Sequence, residues 1–230
     1  MNRIIVALKT MKADEAVEWA KMLAGKVWGF KFNTMLYGDL SFIKRVKEYG
    51  NIMADAKVYE IPQDMENSVY HLVKAGADIV TVHCSALWTP PPYLQDKVVG
   101  VTVLTSFDNA KSRAVYGTVP SAKVGWFMKQ LQPVGYKYFV CSALDLRSKK
   151  VAGMVKAGQI LSICPSIRVA EPDIEGGVHS RKMTPGDAVR AGAHLIVVGR
   201  PILQADDPIS IVDIINKQIS EATIGKRKRN

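Results

Sequence analysis

No stretch of this 230-residue chain holds the roughly 18 consecutive apolar residues that a membrane-spanning helix needs, and no signal peptide is expected. Cysteine is scarce. Cys84, Cys141 and Cys164 lie far apart at the ends of apolar runs, which reads as buried reduced thiols and not as a disulfide set. The four histidines (His71, His83, His179 and His194) have no metal-ligand spacing, so no metal is expected. The first apolar run is not followed by Gly-x-Gly-x-x-Gly, which argues against a dinucleotide fold. Internal repeats and linkers are also missing. These absences leave a cytoplasmic globular enzyme as the default.

Lysine and arginine total 31 against 21 acids, a net charge of +10. Four of the positive charges crowd into the last five residues, "KRKRN". Residues 225–230 therefore read as a basic, solvated tail, and 1–224 as a single domain. The other charges are spread among acids, without the continuous basic stripe and interleaved aromatics of a nucleic-acid footprint, so no nucleic acid is expected. An excess of positive charge suits an anionic small substrate.

Apolar, β-branched runs recur with helical patterns between them. Strands are expected over 3–8, 27–32, 51–57, 78–84, 97–104, 136–142, 159–164 and 195–199. Helices are expected over 14–24, 40–50, 64–77, near 119–132, and over 144–157, 184–193 and 208–222. A Pro-rich segment follows the fourth strand. Strict β-α alternation means a parallel sheet, and eight units in this length fit a (β/α)8 TIM barrel. A doubly wound open sheet is the alternative.

A barrel carries its chemistry at the C-terminal ends of its strands. Strand 3 ends in "DAKVYEIP". On a strand, Met53, Asp55 and Lys57 share one face, and Ile52, Ala54 and Ala56 share the other. The second face suits the outer helices, which turns the charges inward. On strand 2, Trp28, Phe30 and Phe32 point outward, leaving Gly29, Lys31 and Asn33 inside. Lys9 ends strand 1 with the parity of Ile5 and Ala7. Four charges from three neighbouring strands thus converge on the barrel mouth. A neutralising ion-pair network is the plain alternative, but charge gathered at the top face favours chemistry. His83 ends strand 4 and reads first as a hydrogen-bonded structural histidine.

A second constellation closes the chain. "CPSIR" (164–168) ends strand 7 and "VVGRP" (197–201) ends strand 8, where many barrels hold a phosphate. Gly199 lets backbone come close, and the guanidinium of Arg200 can fork onto phosphate oxygens. The intervening "AEPDIEGGVHSRKM", with Gly176 and Gly177, reads as a mobile flap.

Taken together, these motifs resemble the orotidine 5′-monophosphate decarboxylase family nearly end to end. They are "VAL", "FKF", "DAKVYEIP" against D-x-K-x-x-D-I-P, "VTVLTS" (101–106), "VCSA" (140–143), "PSIR" against P-G-I-R, and "MTPGDAVRAGAHLIVVGRPI" (183–202). The resemblance implies a (β/α)8 barrel, a homodimer with active sites at the interface, a nucleotide substrate, and no metal or organic cofactor. It implies that Lys57 protonates C6 as CO2 leaves, that Asp55 lies against the substrate carboxylate, and that Lys31 holds the charge array and touches the ribose. It implies that Glu60 acts from the partner subunit. Substrate binding would fall to Lys9, Ile61, Pro62, Thr105, Ser106, Arg168, His179, Gly199 and Arg200. Of these, Thr105 with Ser106 would meet the pyrimidine, and Arg168, Gly199 and Arg200 the phosphate.

The chain departs from the family pattern at the ligand shell. Lys9 replaces an aspartate, Glu60 replaces a shorter aspartate, and Ser166 replaces a glycine. His179 stands for a glutamine, and Asn33 for a frequent glycine. Three acids and two lysines become two acids and three lysines. Three readings stay open: a working decarboxylase, a nucleotide-binding homologue with weak, lost or altered activity, and a Mg2+-dependent sugar-phosphate decarboxylase or aldolase of the same superfamily. Lys31, where the Mg2+-dependent relatives carry an acid, opposes the third.

Overall fold

The computed structural model describes residues 2–9, 11–169 and 183–227. Eight parallel strands close on themselves in sequence order: β1 (Ile4–Ala7), β2 (Gly29–Phe32), β3 (Asn51–Val58), β4 (Ile79–His83), β5 (Val98–Val101), β6 (Tyr138–Val140), β7 (Leu161–Cys164) and β8 (Leu195–Val198). Ile5 of β1 pairs with Gly29 of β2 on one side and Val197 of β8 on the other, so no sheet edge is left. Among the described residues, nine α-helices surround the barrel: α1 (Ala13–Leu23), α2 (Phe42–Lys47), α3 (Pro62–Ala75), α4 (Asn109–Tyr116), α5 (Pro120–Leu131), α6 (Lys149–Lys156), α7 (Pro185–Ala191), α8 (Arg200–Leu203) and α9 (Pro208–Arg227). This is a (β/α)8 TIM barrel.

Strand alternation sorts the core into two layers. Even-numbered residues such as Ile4, Val6, Phe30, Phe32, Ile52 and Ala54 join the large cluster between sheet and helices. Ile5, Ala7, Met53, Ile79, Val99, Ile163, Leu195 and Val197 form a smaller cluster inside the barrel. Helix ends follow local chemistry. Asp108 caps α4 by accepting the N–H of Lys111 at 2.8 Å, and Thr184 caps α7 by accepting that of Asp187 at 3.1 Å. Helix α3 starts with Pro62 and stops at Gly76, whose φ of 118° is open to glycine. Gly29 is obligatory for a different reason: a Cβ there would lie 2.0 Å from the carbonyl oxygen of Asn51.

The structure departs from the sequence expectation in four places. Trp28 precedes β2 and packs on the inner cluster, apart from Phe30 and Phe32. Alternation does not govern a residue outside the strand. The segment after β4 makes two short 3-10 turns, Cys84–Ala86 and Pro92–Lys97, because its prolines cannot supply helical N–H groups. Helix α4 was not expected. It holds one capping aspartate and a weak apolar pattern. Helix α9 runs on through Arg227, into the stretch read as a tail. All three cysteines are buried and free. Among the described residues, no helix is long and apolar enough to cross a membrane.

Candidate active site

At the C-terminal mouth of the barrel, three charged side chains interlock. The Asp55 carboxylate lies between two ammonium groups: Lys31 Nζ is 2.7 Å from Oδ2, and Lys57 Nζ is 2.8 Å from Oδ1. Lys31 and Asp55 are nearly sealed, at 7% and 8% exposure, whereas a third of the Lys57 side chain reaches the open mouth. Burial would raise the carboxyl of Asp55, but the Lys31 and Lys57 charges outweigh it and hold the group below the ordinary carboxylate range. Burial depresses Lys31, Asp55 opposes that effect, and the positive charges of Lys57 and Lys9 add to it. Lys9 itself lies past the end of β1 and is exposed. Of the four charges expected to converge, Lys31, Asp55 and Lys57 pair directly, and Lys9 stands near enough for its charge to act on Lys31.

The path to that convergence was not legible as simple alternation. β3 and β4 pair at Ala54 with Val80, and again at Val58 with Val82, so β3 carries two extra residues between these points. Lys57 lies in this bulge with φ of 50°, in the left-handed region that few side chains occupy. Strain of this kind gathers where function needs a side chain re-aimed. Two neighbours hold the bulge: Thr81, which sequence reasoning did not assign to the site, and Asn33, which it placed inside the barrel at the ligand shell without a role. Thr81 accepts the Lys57 N–H at 2.8 Å, and its Oγ1 lies 3.1 Å from Asp55 Oδ1. Asn33 donates from Nδ2 to the Asp55 carbonyl at 2.7 Å. The available signal for Thr81 was its inward parity with Ile79, one strand from the charged residues. Its β-branched shape hid that signal within a strand.

His83 also stands at this mouth. Its ring lies 5.7 Å from that of Tyr59. Among the described residues its buried Nδ1 finds no hydrogen-bond partner, so they do not supply the bond expected there for a structural histidine. Burial and the nearby Lys57 charge both favour the neutral imidazole.

Across the barrel, the ends of β7 and β8 present a different surface. Ser166 is buried with φ of 65°, and its hydroxyl lies 3.2 Å from that of Thr105 on the segment after β5. Ser106 is half-buried beside it. Burial lowers the guanidinium of Arg168, and the charge of Arg200 lowers it further. Arg200 therefore stands near enough for its charge to act on Arg168. Gly199 precedes Arg200 at the start of α8. A Cβ on Gly199 would meet Ala7 at an ordinary 3.5 Å, so packing alone does not require glycine there.

Glu60, expected to act from a partner subunit, is exposed on the segment leaving β3, and Asp55 makes its ion pairs with Lys31 and Lys57. Its flanking residues Tyr59 and Ile61 are 61% and 64% exposed. Pro62 opens α3 beside them. His179 and the expected flap, with Gly176 and Gly177, lie outside the described residues. Among the described residues, no group of three or more His, Cys, Asp or Glu side chains is placed to hold a metal ion.

Comparison with known proteins fits this geometry. The model of the orotidine 5′-phosphate decarboxylase / HUMPS family matches residues 2–213. The chain is 31% identical over 236 residues to an orotidine 5′-phosphate decarboxylase of Desulfosudis oleivorans, covering 95% of this chain and 93% of that protein. It is 31% identical over 233 residues to one from Ehrlichia chaffeensis, covering 96% and 98%. Among solved structures, the orotidine 5′-phosphate decarboxylase of Lactobacillus acidophilus superposes with a TM-score of 0.72 at 24% identity, covering 95% of this chain and 99% of that one. At that identity the superposition speaks for the fold alone.

Proposed function

The chain belongs to the orotidine 5′-phosphate decarboxylase / HUMPS family, and from that premise we propose that it converts orotidine 5′-monophosphate to UMP and CO2. The observation that carries this reading is the Lys31–Asp55–Lys57 array, buried at the catalytic end of the barrel with only Lys57 open to it. The substrate carboxylate would lie against Asp55. Breaking the C6–carboxyl bond leaves an electron pair on C6, and the Lys57 ammonium stabilises that charge before giving C6 its proton. Solvent then reprotonates the amine. Repulsion between Asp55 and the departing carboxylate favours the same direction.

The chemistry so written needs no metal, because Lys57 supplies both the positive charge and the proton. A Mg2+-dependent sugar-phosphate reaction fits this site poorly. The Lys31 ammonium already sits 2.7 Å from Asp55, and a second cation at that carboxylate would be repelled.

Phosphate binding falls to Arg168, Gly199 and Arg200. An anion between the two guanidinium groups would replace their repulsion with attraction on both sides. Binding energy gathered there, far from C6, can be spent on orienting the reacting carboxylate. Thr105 and Ser106 are assigned to the pyrimidine. Lys9 is assigned to the ribose, where its ammonium can donate to hydroxyl oxygens. Glu60 belongs to a homodimer, reaching the partner's site from a segment whose exposed Tyr59 and Ile61 supply apolar interface area. The decisive experiment follows the absorbance of orotidine 5′-monophosphate with purified protein, with and without EDTA. Turnover indifferent to EDTA is expected. Substrate left unchanged by the protein would overturn the assignment.

A further inference from the structure

The bulge in β3 removes ladder hydrogen bonds where the site needs its two charged residues fixed. Between Ala54 and Val58 the strand has two residues more than β4 can pair. A bulge with a left-handed lysine has no regular geometry of its own, so something outside the strand must define it. Thr81 is placed to do so. Its side chain is fully buried, and a hydroxyl can accept one hydrogen bond while donating another. It accepts from the Lys57 backbone N–H at 2.8 Å and reaches Asp55 Oδ1 at 3.1 Å. That carboxylate oxygen is also the one paired with Lys57 Nζ at 2.8 Å. One oxygen therefore ties the main chain of the proton donor to the side chain of its neighbouring acid. From the other flank, Asn33 holds the Asp55 carbonyl at 2.7 Å.

We propose that Thr81 is a positioning residue of the decarboxylation, with Asn33 as its counterpart on β2, and that their bonds fix the Lys57 ammonium and the Asp55 carboxylate in their reactive arrangement. This rests on the decarboxylase reading of the site. A misplacement of about 1 Å in a catalytic group can cost on the order of 100-fold in rate. Thr81→Val keeps the shape of the side chain and removes the hydroxyl, while Thr81→Ser keeps the hydroxyl and removes a methyl group.

The test compares kcat, KM and amide exchange in wild type, Thr81→Val, Thr81→Ser and Asn33→Ala. Thr81→Val should lower kcat by about 10- to 100-fold with KM changed less than about twofold, and Thr81→Ser should recover most of the loss. The acid limb of the kcat profile should move to higher pH in Thr81→Val, because Asp55 loses a hydrogen-bond donor to its charged form. In the ligand-free protein, the Lys57 amide should exchange about tenfold faster or more once its acceptor is gone. Wild-type kcat in Thr81→Val, or equal loss in the valine and serine variants, would overturn the proposal. If the valine variant does not fold, Asn33→Ala decides the matter: a kcat loss at constant KM supports the clamp, and unchanged kcat overturns it. A wild-type protein inert toward orotidine 5′-monophosphate would overturn the functional reading instead, while exchange at Lys57 would still decide whether the clamp exists.

Discussion

The two walls of the barrel mouth handle charge in opposite ways. On the β2–β4 wall, a carboxylate and two ammonium groups satisfy one another within hydrogen-bond distance, backed by Thr81 and Asn33. On the β7–β8 wall, Arg168 and Arg200 act on one another by repulsion, beside a serine held in a left-handed conformation. The first wall is pre-organised: its geometry exists before any ligand arrives, as charge stabilisation without reorganisation requires. On the proposed function, the second would take a ligand that brings negative charge. Chemistry would then fall to the wall of paired charges, and anchoring to the wall that carries the two guanidinium groups.

The largest effect should come from breaking the wall of paired charges at its open end. Lys57→Ala removes the proton donor and should abolish turnover, by at least about a thousandfold, while binding of UMP stays measurable by calorimetry. More than a few per cent of wild-type kcat would take Lys57 out of the mechanism, and with it the division of labour.

The same wall should show in stability. The carboxyl of Asp55 is held below its ordinary value of about 4, so between the folded and unfolded values the unfolded chain binds more protons. Its contribution is therefore present above about pH 4 and is lost as pH falls below that. Asp55→Asn should remove this acid dependence from urea melts. It should also destabilise the protein by about 3–5 kcal/mol at pH 7, because the sealed Lys31 ammonium loses its partner. Melts of equal midpoint at pH 7 would show that the array contributes nothing to the fold.

The anchoring wall should respond in binding alone. Arg200→Ala should weaken UMP by about 10- to 150-fold, the equivalent of a lost charge-assisted bond of about 1.5–3 kcal/mol, and leave uridine unchanged. Equal losses for nucleotide and nucleoside would make Arg200 structural and dissolve the comparison.

A smaller coupling tests the proposed dimer. Lys9 and Glu60 are both exposed and both depart from the family pattern, and Lys9 stands near enough to Lys31 to influence it. If Glu60 of one subunit meets Lys9 of the other, the double change Lys9→Asp, Glu60→Asp should turn over faster than Lys9→Asp alone. Coupling of about 0.5–3 kcal/mol is expected in a double-mutant cycle, and strict additivity would mean that the two do not meet.

What the sequence disclosed and what it withheld follow the same physical line. Alternation of apolar runs with helical patterns disclosed all eight strands, because a parallel barrel repeats one period eight times. Inward parity disclosed Lys31 and Asp55. Parity placed Lys57 on the right side for an incomplete reason, since its contact with Asp55 depends on a bulge and a positive φ that no alternation encodes. Thr81 was missed, and Asn33 was placed inside the barrel without a role, because their work is done on a neighbour's backbone, which residue type does not announce. Helix α4 was missed because one capped turn carries little pattern.

Ser166 offers the finest test of the anchoring wall. Its φ of 65° costs an L-residue about 1–2 kcal/mol, a cost that glycine does not bear. Against this stands its hydroxyl contact with Thr105 at 3.2 Å, a buried bond of about 0.5–1.5 kcal/mol net. Ser166→Ala loses the bond and keeps the strain, so it should lower stability by about 1 kcal/mol. Ser166→Gly loses the same bond and relieves the strain, less about 0.4–1 kcal/mol for the looser unfolded chain. The glycine variant should therefore be the more stable of the two by roughly 0.5–1 kcal/mol, the reverse of the usual order of alanine over glycine. Urea melts of the two variants decide this. Alanine equal to or above glycine would show that Ser166 carries no strain, and the left-handed backbone of the anchoring wall would then cost the fold nothing.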